Sequence, residues 1–264
     1  EPHNYKRLGK GDIDSFKLFL ERSFVLLKKG GRMGLVVPSS FHTNEGCVQL
    51  RTMFFEKSTV DFLYSFENRS PTIFNGVMGT YNISVFGTEK NGSTESFKAA
   101  FMQHNPAKLS FIDKSPLFIS VDLIKEFSPH TLSLMEVESE RAIMILKKVY
   151  SEFPTLKETL KTKWNVKIRS ELHKTNNSNL FYEHDTGHPL YEGKTVWQFD
   201  HCFGKPLKWV KPEEVESVLK DSYWETQKYR VAYRDVARGT DERTLISAVI
   251  PPAYHSNKLP TFTP

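Results

Sequence analysis

Arginine recurs every four residues at Arg230, Arg234 and Arg238, and Arg243 follows. On a helix this interval makes one basic stripe. The neighbours Tyr229, Val231, Tyr233 and Val236 favour a strand instead, where even spacing also puts the three arginines on one face. Grouped guanidinium groups suit contacts to phosphates or guanine edges, each bidentate base contact discriminating by roughly 1 to 3 kcal/mol. Asp235, Asp241 and Glu242 leave a salt-bridged surface open as the alternative. His184 and His188 stand at the helical interval that could chelate zinc, but Gly187 and Pro189 argue for a loop, and no metal is expected. Asp200-His201-Cys202 has the composition of a triad fragment without an oriented base or oxyanion motif. His42 has no carboxylate or second imidazole within sequence reach, and is expected to be a solvated loop residue.

The 264 residues suffice for two modest domains with self-sufficient cores. Lys and Arg total 36 against 31 Asp and Glu, and the net charge of +5 permits a polyanionic partner without demanding one. Cys47 and Cys202 lie far apart with no second pair for a metal site or a disulfide framework, which favours a reducing compartment, with the cytoplasm as the expected location. No run of about 18 apolar residues would span a bilayer, so no membrane partner is expected. The N-terminus has no signal-peptide pattern, and a start without Met suggests a fragment of something longer.

Certain elements must position these side chains. Ile13, Phe16, Leu20, Phe24 and Leu27 share one helical face between Asp12 and Lys29. Asp12 or Asp14 is the expected cap and Gly30 the left-handed exit. The continuously apolar Met33 to Val37 predicts a central strand covered on both faces. Pro38-Ser39-Ser40-Phe41 then sits at the carboxyl edge where open α/β sheets bind ligands, or is a strand exit with a serine helix cap. Val48, Leu50, Met53 and Phe54 read as a short helix, Val60 to Phe66 as a strand, and Tyr81, Ile83 and Val85 as a final alternating strand. Strand, helix, strand implies a right-handed crossover in a mostly parallel sheet. The sheet is expected to end between Thr88 and Ser96, with a linker over 97–136 and a domain boundary near residue 135. Two helices interrupted at Pro154 follow, then short strands and loops carrying Tyr182, Tyr191, Trp197, Phe199, Trp209 and Trp224.

The order of elements over residues 10–87 resembles the C-terminal half of the catalytic domain of DNA adenine-N6 methyltransferases from restriction-modification and phage-defence systems, type IIG-like. Tyr229 to Thr244, followed by Ala248-Val249-Ile250-Pro251-Pro252, resembles a segment of the same enzymes' target-recognition region. The resemblance implies an α/β fold: the distal half of a Rossmann-like class I methyltransferase sheet in residues 1–96, a linker in 97–136, and a mixed α+β recognition domain in 137–264. It implies S-adenosylmethionine as cofactor, double-stranded DNA as partner, and a restriction endonuclease domain or subunit as a further partner. It carries Phe19 over as the aromatic flanking the cofactor's adenine, and Phe74, in Thr72-Ile73-Phe74-Asn75-Gly76-Val77, as the aromatic that stacks on the flipped base. For both rings, core packing stays open as the alternative. It also brings Arg230, Arg234, Arg238 and Arg243 close to DNA.

The family's Gly-containing loop after the first strand and its Asn/Asp-Pro-Pro-Tyr/Phe loop do not occur in these residues; Pro251-Pro252 lacks the flanking residues and lies far downstream. The chain alone is therefore expected to be inactive. A non-catalytic DNA-binding specificity module is the rival of a different class. An ordinary Rossmann-like metabolic enzyme is a third reading, disfavoured by the arginine-rich segment.

Overall fold

The structure, a computed structural model, describes residues 4–9, 13–69, 72–79, 81–237 and 241–263. The chain divides into two compact units, residues 1–153 and 154–264. Both mix helices and strands.

In the first unit α1 (Ser15–Leu26) leads into β1 (Arg32–Pro38). Leu20 and Phe24 are buried and Phe16 partly so, as the periodicity predicts, whereas Ile13 is exposed. Asp14 holds the N-cap position without a side-chain hydrogen bond, and Asp12 lies outside the described residues. The helix stops at Leu26, so Gly30, at φ +74°, serves the turn beyond it rather than the helix exit. The exit is capped by a cation: Lys90 Nζ donates to the carbonyls of Phe24 and Leu27 at 2.9 and 2.7 Å, where the helix dipole favours positive charge.

Short α2 (Ser40–Thr43) and α3 (Val48–Lys57) connect β1 to β2 (Thr59–Glu67), and β3 (Asn82–Glu89) follows. The helix and both strands expected here form. The five-stranded sheet has the order β1-β3-β2-β4-β5, with β4 at Ser96–Gln103 and β5 at Leu117–Ser120. Two expectations about it fail. Among the described residues β1 is an edge strand, not a central one: it pairs with β3 alone, and Met33, Leu35 and Val37 turn to the core while Val36 faces outward. The sheet is mixed rather than mostly parallel, because β3 runs antiparallel to both β1 and β2 and β5 antiparallel to β4, leaving β2 with β4 as the parallel pair. Gly87 on β3 pairs with Phe62 on β2 and leaves room for its ring, since a Cβ there would lie 2.5 Å from it.

The sheet does not end at Thr88–Ser96. Residues 90–95 turn between β3 and β4 and are tied to the sheet margin: Thr94 Oγ1 accepts from Val60 N and donates to Ser58 O. The stretch 97–136 is not a linker either. It forms β4, β5, α4 (Leu109–Ile112) and α5 (Val121–Phe127), and buries Phe97, Phe101, Ile119, Leu123, Ile124 and Phe127 in the same core as Phe41, Phe54 and Phe86. Helix α6 (Glu140–Glu152), capped by Ser139 Oγ on Ala142 N, packs Ile143, Leu146 and Tyr150 on that core and belongs with the first unit. The division between units falls beside Pro154 rather than near residue 135.

The second unit holds α7 (Leu156–Thr159), β6 (Lys167–Arg169), β7 (His188–Tyr191), β8 (Trp209–Val210), α8 (Pro212–Leu219), β9 (Arg230–Tyr233), β10 (Ser247–Ile250), β11 (Tyr254–His255) and β12 (Thr261–Thr263). The strands make a sheet of order β10-β9-β12-β6 and another of order β11-β7-β8, the short-strand pattern expected. Among the described residues no helix is long and apolar enough to cross a membrane.

Candidate functional site

Because β3 opposes both β1 and β2, and β2 parallels β4, strands β1, β2 and β4 point the same way. Their carboxyl ends, at Pro38, Glu67 and Gln103, line one edge of the sheet, where open α/β folds place ligands. The turn holding Phe74 hangs from this edge, between β2 and β3. Buried Asn68 shapes it: Oδ1 accepts from Ile73 N and Phe74 N at 3.0 and 2.9 Å, and Nδ2 donates to Val77 O at 3.1 Å. One amide thus satisfies several loop backbone groups, and the loop holds its shape without needing its side chains buried. Phe74 is 43% exposed, and Val77, Met78 and Tyr81 are exposed beside it in sequence. Phe19 is 68% exposed on α1, so neither ring is core.

Beneath the edge runs a polar chain that the sequence did not reveal. His42 is fully buried rather than solvated. Its Nδ1 lies 3.1 Å from Ser84 Oγ, which lies 3.3 Å from Ser39 Oγ, and its Nε2 lies 3.0 Å from Glu136 Oε1. Ser65 Oγ donates to the same carboxylate oxygen at 2.7 Å and accepts from Met102 N at 3.0 Å, holding Met102 at φ +55°. Arg51, also buried, donates to Phe41 O at 2.6 Å and Thr131 O at 2.7 Å, fastening the loop after β1 to the 131–137 segment; burial lowers its guanidinium to about 10. The Ser39 hydroxyl is therefore committed to Ser84 and makes no helix-cap bond, and Phe41 is core. A serine, a histidine and a carboxylate stand in line, but Ser84 is buried and cannot meet a substrate. The chain fixes the geometry of the edge.

Burial pushes the Glu136 carboxyl up, and hydrogen bonds from His42 and Ser65 with the His42 charge more than offset it, leaving the group below its ordinary value. A carboxyl held low in the fold contributes stability above the unfolded value of 4.5 and loses it as pH falls through the folded value. Melting temperature of Glu136→Gln, followed from about pH 6 to pH 3, should fall less steeply than that of the parent protein. An identical acid limb would show that the carboxylate is not held by this network.

In the second unit the arginines separate. Arg230 is 3% exposed, ion-paired with Glu171 and bonded to Ala253 O, so it cannot be a DNA contact in this fold. Glu171 also accepts from His255 N at 3.0 Å, with His255 Nε2 3.2 Å from its other oxygen. Burial pushes Glu171 up, and the hydrogen bond and charge of His255 and the charge of Arg230 hold it below its ordinary value. The shared-face expectation fails because β9 has four residues: Arg230 and Ala232 point inward, Val231 outward, and Arg234 lies past the strand end. Arg234 donates Nε to Val196 O at 2.9 Å, with its guanidinium 4.7 Å from the Trp197 ring centre. Arg243 is exposed, and Arg238 lies outside the described residues.

His184 lies in a loop and His188 begins β7 with its ring edge-on to Tyr254, so the pair has no helical register. Among the described residues no group of three or more His, Cys, Asp or Glu could hold a metal. Asp200 Oδ1 accepts from Cys202 N at 2.8 Å rather than from His201, whose Nδ1 lies 3.0 Å from the Tyr191 hydroxyl and 3.1 Å from Cys202 Sγ; with no carboxylate orienting the imidazole, the three are no triad.

Residues 2–74 match the family described as Eco57I restriction-modification methylase. No curated protein matches the chain. Among solved structures, the chain is similar to one from the assembly of a type I R-M system (15% identity, 58% of this chain and 40% of that one, TM-score 0.37). It is also similar to a type I modification subunit from Vibrio vulnificus YJ016 (12%, 46% and 30%, TM-score 0.35) and to the type IIG restriction endonuclease BpuSI (11%, 98% and 38%, TM-score 0.39). The chain thus spans less than half the length of each of these proteins. The resemblance to a restriction-modification methyltransferase is shown by the family match over residues 2–74, the segment that holds α1, β1, β2 and Phe74.

Proposed function

We propose that this chain is part of a site-specific DNA methyltransferase that moves the methyl group of S-adenosylmethionine to the N6 amine of adenine in double-stranded DNA. In this reading β1 to β3 are the distal part of a class I methyltransferase sheet, the second unit contacts the DNA target, and a restriction endonuclease domain or subunit is the natural partner, in the cytoplasm. The observation that carries it is the Phe74 turn. It lies at the end of the family-matched segment and on the ligand edge of the sheet, and it keeps a large ring half-exposed by backbone bonds to Asn68. A base turned out of the duplex needs such a stacking surface.

For the cofactor the chain offers one wall, the exposed Phe19 ring. The Gly-containing and Asn-Pro-Pro-Tyr loops, which would hold methionine, ribose and the target amine, do not occur in the 264 residues. Titration calorimetry of the isolated chain with S-adenosylmethionine should accordingly give no saturable heat. Micromolar affinity would mean that these residues build a complete pocket by themselves.

A second reading is a non-catalytic DNA-binding specificity module, since residues 154–264 form a compact unit of their own. Expression of the gene with its flanking sequence, in a host free of DNA methylation, separates the two. The methyltransferase leaves N6-methyladenine at one recurring sequence in the host DNA, and the module leaves none.

A further inference from the structure

A cavity of about 440 Å³ in the second unit is bounded by Lys174, Lys194, Arg234 and Lys258, with Glu192 in its wall. Its construction is specific. Glu192 is 2% exposed, and its carboxylate draws in two ammonium groups from separate loops, Lys174 Nζ on Oε1 and Lys194 Nζ on Oε2. The turn that carries Glu192 is locked by Thr195, whose Oγ1 accepts from Glu192 N at 3.1 Å and donates to Glu192 O at 2.8 Å. Gly193 lets a second segment come close, since a Cβ there would lie 3.0 Å from Lys258 O. Lys258 pairs with Asp235 at 2.9 Å, and Arg234 is anchored on Val196 O and the Trp197 face.

Four cationic side chains face two lining carboxylates, Glu192 and Asp241, and the balance stays positive with Asp235 counted. The lysine heads remain about half exposed, and each ammonium carries three donors, more than one carboxylate oxygen accepts. A tetrahedral oxyanion fits that donor set. Close by in sequence, Phe199 is 85% exposed although its backbone sits at φ +66°, a left-handed conformation unfavourable for an aromatic residue. A ring held in solvent at such a position suits a partner with stacked bases better than a small free anion.

We propose that this cavity seats one backbone phosphate of duplex DNA, fixing the register of the second unit on its target. The inference rests on the DNA-methyltransferase reading above. Phosphate contacts of this kind orient a protein without reading sequence.

The test uses the 264-residue chain and a fluorescent duplex of about 30 base pairs, with anisotropy read between about 50 and 200 mM salt. Lys194→Gln with Lys258→Gln should weaken binding about fivefold to tenfold at low salt and reduce the slope of log affinity against log salt by about one. The same slope should be retained by Lys194→Arg with Lys258→Arg and by the exposed control Lys147→Gln on α6. A parental slope and affinity in the double glutamine variant, while the parent binds DNA, would overturn the cavity assignment and leave the methyltransferase reading standing. No binding of the parent at low salt would overturn both. If inorganic phosphate binds in a lysine-dependent way while the DNA slope is unchanged, the cavity holds a free anion and the DNA assignment fails.

Discussion

Arg230→Ala should destabilise the second unit by roughly 3 to 5 kcal/mol and leave the salt dependence of DNA binding unchanged. The guanidinium is buried against Glu171, and removing it leaves a carboxylate in the interior beside the His255 imidazole, without its guanidinium partner. The attraction within a buried pair mostly repays desolvation, so the loss comes from stranding one partner. Arg230→Met combined with Glu171→Leu, which takes both charges away, should therefore recover much of the stability lost by the single change. In a unit of this size the single substitution should lower the melting midpoint by more than about 10 °C. A midpoint near that of the parent, with a shallower salt slope in DNA binding, would mean that Arg230 reaches DNA and that the internal pairing is wrong.

Phe74→Ala, in the full enzyme implied by the proposed function, should reduce methyl transfer to duplex DNA by about five- to 150-fold, the equivalent of roughly 1 to 3 kcal/mol of base stacking. Stability should hardly change. The ring is half-exposed, and the turn is held by Asn68 through backbone groups that the substitution leaves in place. Cofactor affinity should be unaffected. A fluorescent adenine analogue at the target position reports unstacking directly: parent and variant should differ in how long the base stays out of the helix. Equal fluorescence and equal turnover would reduce Phe74 to an incidental surface ring.

Where local periodicity decided an element, the sequence was a sound guide. The buried face of α1, the strands β2 and β3, the break at Pro154 and the short strands beyond it all follow from spacing and composition. Features set by pairing across long separations were not legible. The run Met33 to Val37 reads as a central strand because every residue in it is apolar or glycine, yet which strands flank it depends on β3, some fifty residues on. The Ser- and Pro-rich composition of 97–136 suggested a linker, and it conceals Phe97, Ile119, Leu123 and Phe127, which extend the sheet and fill the core. His42 looked solitary because Glu136, its carboxylate, comes from 94 residues away. Arg230 looked equivalent to Arg234 because spacing alone cannot tell that β9 ends between them. Phe19 and Phe74 stand out in the sequence by resemblance, and residue type does not reveal that both rings are exposed.

The most direct test is transfer of a tritiated methyl group from S-adenosylmethionine to duplex DNA by the protein that joins this chain to the Gly-containing and Asn-Pro-Pro-Tyr loops, followed by digestion of the DNA to nucleosides. All of the label should elute as N6-methyldeoxyadenosine, and it should fall sharply with Phe74→Ala. Label on cytosine would contradict the adenine assignment, and a folded, DNA-binding protein that transfers no label to any base would contradict the methyltransferase reading as a whole.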